Sequence, residues 1–171
     1  MVAARGPQLS RHERQEAEAN QFAIELLAPP ALVRQYTRRL PDLSAVLDMA
    51  AGLQISKEAA ARRYVELHRK CLAIVFSKSG LATYFSAGAD FPSIALRKND
   101  KLPVSLKDIG AGHMTSFDIA DPLDWLNRPK RQELAAQTLV QQNGHAMTLL
   151  HAEAAEDSED EGEAGGRSLN W

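Results

Sequence analysis

A single cysteine, Cys71, occurs in 171 residues. One thiol excludes an internal disulfide and any zinc site built from several thiolates, so a metal bound here has to be held by histidines and carboxylates. Long hydrophobic runs are also lacking. Although 44% of the residues are hydrophobic, no stretch approaches the roughly 18 apolar residues of a membrane-spanning helix. The opening MVAARGPQLSRHER has no apolar core of the kind a secretory leader needs. We therefore expect a cytoplasmic protein that engages no membrane. Its length suits one full domain, or a small domain with a satellite subdomain.

Base is lacking at the C-terminal end. The segment EAAEDSEDEGE, residues 153–163, carries seven acids and no Lys or Arg, while the whole chain has a formal charge of only −2. With the tail set aside, residues 1–152 hold nineteen bases against fifteen acids, a net charge of about +4. Such a run reads as a solvated, disordered spacer, because it has too little apolar surface to fold. The alternative is an acidic lure for a basic partner or a mimic of nucleic acid.

Periodicity organises what remains. Ser10 and Glu13 match a capping box, so a first helix should start there and run to about Leu27, stopped by Pro29 and Pro30. Ala19, Phe22, Ala23, Leu26 and Leu27 recur at helical spacing on it, which predicts a buried face packed on the helices that follow. A short helix is expected over 31–40, a third over 43–53, and a fourth capped by Ser56 and reaching about His68. From Cys71 the composition changes. CLAIVFS and LATYFS, separated by KSG, predict a hairpin. Residues 87–130, rich in Gly, Pro and Asp, show only short strands or loops. ELAAQTLVQ and HAMTLLHAE flank an Asn143-Gly144 pair that favours a type I′ turn. Phe85, Phe91, Trp125 and Leu126 could line a pocket, although aromatics at such intervals more often form core.

Glu16 raises a question of chemistry. At about 100° per residue it lies in line with Ala19, Asn20, Ala23 and Leu27, at the edge of the stripe expected to enter the core. A carboxylate buried there needs a cation, a metal or hydrogen-bond donors. The plainer account is a solvated first-turn glutamate that favours the helix dipole. His12 stands four residues before Glu16, and a local contact between them is the simplest outcome. His68, His113, His145 and His151 lack ligand spacing, so each is expected to be a surface or packing residue. Cys71 has no nearby base and suits a buried structural thiol.

The words around Glu16 narrow the choice. ExxAN followed by xFAxELLxP, here Glu16, Ala19, Asn20, Phe22, Ala23, Glu25, Leu26, Leu27 and Pro29, resembles the segment after the HExxH helix in the ImmA/IrrE family of metallopeptidases, with Ala28 where that family commonly has Met. VLDMAAGLQISKEAAARRYVEL, CLAIVFSKSGLATYF, DPLDWL and QTLVQQNGHAMTLL are similar to later blocks of the family, in the same order. The resemblance implies a zinc gluzincin in which the two histidines of HExxH and a glutamate on the next helix bind the metal. Glu16 matches that glutamate, with Glu18 as a rival that projects off the stripe, and Asn20 would support the ligand one turn on.

HExxH itself does not occur. HERQE, residues 12–16, has His12 and Glu13 but Glu16 where the second histidine belongs. The resemblance therefore implies that the chain begins inside the domain, after the metal helix, and is not a competent peptidase as written. MAAGLQISKEAAARRYVEL also has the outline of a helix-turn-helix, with a turn at Gly52 and a helix bearing Lys57, Arg62 and Arg63. Ala59, Ala60 and Ala61 fill the first turns of that helix, so packing is favoured over base reading and direct nucleic-acid binding is not expected.

The fold expected is α+β: residues 1–70 as the helical C-terminal part of a gluzincin-like metallopeptidase domain, 71–152 as a β-rich subdomain, and 153–171 as an acidic tail. The implied function is zinc-dependent cleavage of a repressor that binds DNA through a helix-turn-helix, as part of transcriptional regulation in a stress response. The alternative is a non-catalytic regulatory or DNA-binding module.

Overall fold

The computed structural model describes residues 10–129 and 132–154. Four helices come first: α1 (Arg11–Leu27), α2 (Pro30–Thr37), α3 (Leu43–Leu53) and α4 (Lys57–Leu67). Strands β1 (Leu72–Lys78) and β2 (Leu81–Ala87) follow, then the short elements α5 (Leu106–Ile109), β3 (Asp118–Ala120) and α6 (Pro122–Trp125), and finally β4 (Gln132–Val140) and β5 (His145–Ala154). The strands form one antiparallel sheet in the order β2-β1-β5-β4-β3. The protein is thus α+β. Among the described residues no helix is long and apolar enough to cross a membrane. Of the expected acidic tail, 153–171, Glu153 and Ala154 belong to β5, and residues 155–171 lie outside the described residues.

Helix ends follow from local chemistry. Asp42 caps α3 by accepting from Ser44 N at 2.6 Å, and Ser56 caps α4 by accepting from Ala59 N at 3.0 Å. Gly52 is not the turn between them. The left-handed residue is Gln54 (φ 54°), after which Ile55 N donates to Ala50 O at 3.1 Å in a Schellman-like closure. Gly52 lies inside α3, where a Cβ would collide with the Tyr36 hydroxyl, so its lack of a side chain serves the close approach of α2. Both hairpins turn as expected. Ser79 (φ 53°) and Gly80 (φ 81°) join β1 to β2, while Asn143 (φ 59°, ψ 28°) and Gly144 (φ 74°) form a type I′ turn closed by His145 N on Gln142 O.

The sheet is covered on both faces. Leu72, Ile74, Phe76, Leu139, Met147 and Leu149 meet α2, α3 and α4 in one core. Ala73, Val75, Leu134, Leu150 and Ala152 meet Trp125, Leu126, Ile94 and Leu102 from the irregular 88–129 segment in a second. This double cover explains why CLAIVFS is continuously apolar: β1 is a central strand with no wet face. Gln137 locks the helical layer to the sheet. Its Oε1 accepts from Leu43 N at 2.7 Å, and its Nε2 donates to Thr115 O at 3.2 Å and Asp42 Oδ2 at 3.4 Å.

The expected burial of the α1 stripe against α3 and α4 is overturned. Phe22 and Leu26 are each 69% exposed, and Ala19, Ala23 and Leu27 also face water. The helix docks instead through Ile24 and Ala28, which lie about 80–120° round from Glu16. The apolar faces of α3 and α4 are already taken up by α2 and the sheet. Ala28 is fully buried, and its carbonyl accepts from Arg63 Nε at 2.9 Å, which satisfies one orphan acceptor beyond the end of α1.

Candidate metal centre

The i, i+4 spacing on α1 brings His12 and Glu16 together, with His12 Nε2 3.6 Å from Glu16 Oε1. Both are in water, at 82% and 65% exposure. Such a pair is screened and longer than a hydrogen bond. Asn20 and Glu18 are exposed on the same helix. The side chain of Glu13, the other half of the capping box, lies outside the described residues. One carboxylate and one imidazole are one ligand short, since catalytic zinc takes three protein ligands and keeps one position open. Among the described residues no three His, Cys, Asp or Glu side chains converge. The described residues thus do not by themselves fit a catalytic zinc, and a site that included Glu16 would need further ligands.

The remaining titratable groups sort themselves by position. His113 and His145 are exposed. His68 and His151, far apart in sequence, sit within electrostatic reach of each other and of Lys70. Burial pushes both imidazoles below their ordinary value. His151 Nε2 lies 3.3 Å from Glu153 Oε1, outside hydrogen-bonding geometry, and is otherwise buried without a partner among the described residues. Cys71 is half-buried, with Sγ 3.4 Å from Asp90 O, and burial first and Asp90 second push its thiol up, away from nucleophile character.

The α3–α4 pair packs into the core. Arg63 is 5% exposed and engaged with Ala28 O and with Glu66 at 2.8 Å, so it is withdrawn from any groove. Lys57 and Arg62 are exposed, but in the company of Glu58 and Glu66. Burial first, and the nearby Glu58 carboxylate second, raise the Tyr84 phenol on β2 well above its usual range. Of the four pocket candidates, Trp125 and Leu126 are core, Phe91 is half-buried, and Phe85 alone borders a small groove of about 340 Å³ with Tyr84, Leu96 and Arg97.

A feature missed at the level of sequence is a cleft of about 710 Å³ between α2 and the α4–β1 link. Arg34, Arg38 and Arg39 line one side, and His68, Arg69 and Lys70 the other. The two basic clusters were visible as RQYTRR and HRK, but some thirty residues separate them and only the packing of α2 on α4 makes them one surface. No protein-family model matches the chain, and no curated protein matches it either.

Proposed function

We propose that the chain is part of a zinc metallo-endopeptidase of the ImmA/IrrE type whose substrate is a repressor that binds DNA through a helix-turn-helix. One observation supports this reading: the run from Glu16 to Leu27 lies on a helix whose apolar stripe, beside Glu16, is uncovered. Phe22, Leu26 and Leu27 in water are unfavourable, since burying each fully is worth about 1.5–3 kcal/mol. An HExxH-bearing helix laid on that stripe would bury them and set two imidazoles beside Glu16. Glu16 would then supply the anionic ligand, and Asn20, one turn on, would orient it. The general base of the reaction is the HExxH glutamate, which this chain does not carry. By itself the chain should cleave nothing. The alternative, a DNA-reading module, has no comparable support, because Arg63 is spent on packing.

Zinc content and cleavage of a helix-turn-helix repressor, measured on this chain and on a longer polypeptide that includes an in-frame upstream HExxH, test the proposal. The short chain should hold zinc weakly and be inactive, and the longer one should gain both properties. In the longer chain Glu16→Ala should lower zinc affinity and activity together, with Glu18→Ala doing much less. Tight stoichiometric zinc in the short chain, full activity of Glu16→Ala, or the absence of any upstream HExxH would each overturn it.

A further inference from the structure

We propose that the basic cleft is an acidic-peptide site and that its occupant is this chain's own segment 156–163, docked in cis. Arg34, Arg38, Arg39, Arg69 and Lys70 share its wall with His68, and no carboxylate lines it among the described residues. None of the four arginines has an ion-pair partner among the described residues. Like charges gathered in a concave surface repel one another and focus a positive potential, which a polyanion relieves. Guanidinium groups in particular match carboxylates in bidentate geometry.

The path of the chain selects the occupant. β5 pairs with β1 up to the cleft's rim, where Ala152 N donates to Cys71 O at 3.0 Å and Glu153 holds Lys70 Nζ at 3.2 Å. The described chain ends one residue later, at Ala154. The next acids are Glu156, Asp157, Glu159, Asp160, Glu161 and Glu163, with no base among them. Nine residues beyond Ala154 can reach at most about 30 Å, so the whole run stays near the cleft it leaves beside. A tether this short gives an effective concentration on the order of millimolar, enough for a weak contact to be occupied within one molecule. Glu153, on the strand that leads into this run, already pairs with Lys70 at 3.2 Å. The proposal is independent of the zinc reading.

The test compares the full chain with the full chain carrying E156Q, D157N, E159Q, D160N, E161Q and E163Q, by amide NMR. Neutralisation should shift the amides of residues 34–40 and 67–70 and leave those of α3 and β4 in place. Raising salt from about 0.05 M to about 1 M, where the screening length falls to about 3 Å, should bring the native chain to the neutralised positions. A peptide of residues 153–166, added to the neutralised chain, should restore the native ones. The native chain carrying R38Q and R39Q should resemble the neutralised chain. Unmoved amides at 34–40 and 67–70 on neutralisation would overturn the proposal. If duplex DNA moves them while neutralisation does not, the cleft belongs to nucleic acid instead.

Discussion

Tyr64 and Phe22 are both large aromatic residues on helices, and their environments are opposite. Tyr64 is fully buried, its ring 5.0 Å from that of His68 and its hydroxyl accepting from Asp42 N at 3.3 Å. Tyr64→Ala should therefore cost about 3–5 kcal/mol in urea denaturation, whereas Phe22→Ala should cost less than about 1 kcal/mol. A loss above about 2 kcal/mol at Phe22 would mean that its face is covered in solution. His68 and His151 make a second prediction, with a definite sign. Burial is the first cause of both depressions. Hydrogen bonding to Arg39 O opposes it at His68, Glu153 opposes it at His151, and Lys70 adds to it at both. The folded values lie below the ordinary 6.5, so the stabilisation from neutral imidazole is fully present above that value and is lost as pH falls through the folded values. Stability should decline as pH falls below the ordinary 6.5, and less steeply in the double variant His68→Gln, His151→Gln. An unchanged slope would remove these two groups from the account.

Helix α1 is the longest helix described, at 17 residues, and among the described residues its apolar docking lies near its C-terminal end, at Ile24 and Ala28, where the Arg63 guanidinium also binds. Its amides should exchange with solvent orders of magnitude faster than those of α4, although a length-based ranking would put it last to open. Arg63→Leu should speed that exchange further and cost about 1–3 kcal/mol by leaving the buried Ala28 carbonyl unpaired. Exchange in α1 as slow as in α4 would show that its stripe has found a partner. This helix also marks where reading the sequence stops. Spacing showed that Ala19, Phe22, Ala23 and Leu26 share a face, and the His12–Glu16 contact followed from the same geometry. Periodicity cannot say whether a partner exists for that face. The extents of α3 and α4 were legible, α4 from its Ser56 cap, and the apolar run in β1 was legible as strand. The 88–129 segment was not, because its order comes from Trp125, Leu126 and Ile94 packing on the far side of the sheet, without a period of its own. The basic cleft was hidden for a related reason: its two halves meet only after α2 docks on α4.

The helical layer, the sheet and the irregular segment share β1, β4 and β5, and Gln137 on β4 bonds both Leu43 and Thr115. They should therefore unfold together. In a Trp171→Phe background, Trp125 fluorescence reports the irregular layer and far-ultraviolet circular dichroism reports chiefly the helices, and the two should share one midpoint. Gln137→Leu should lower both by the same amount, and separated midpoints would divide the molecule into independent units. The central place of β1 also has a consequence for synthesis. Its partners are β2, a few residues downstream, and β5, which pairs Leu72 with His151 and Lys78 with His145. On a ribosome adding about 5–20 residues per second, β5 follows β1 by some 70 residues, or about 4–15 s. During that interval the nascent β1–β2 hairpin presents an open edge and the apolar residues Leu72 to Phe76 to whatever strand it meets, which makes this stretch the one most in need of a chaperone before the sheet closes.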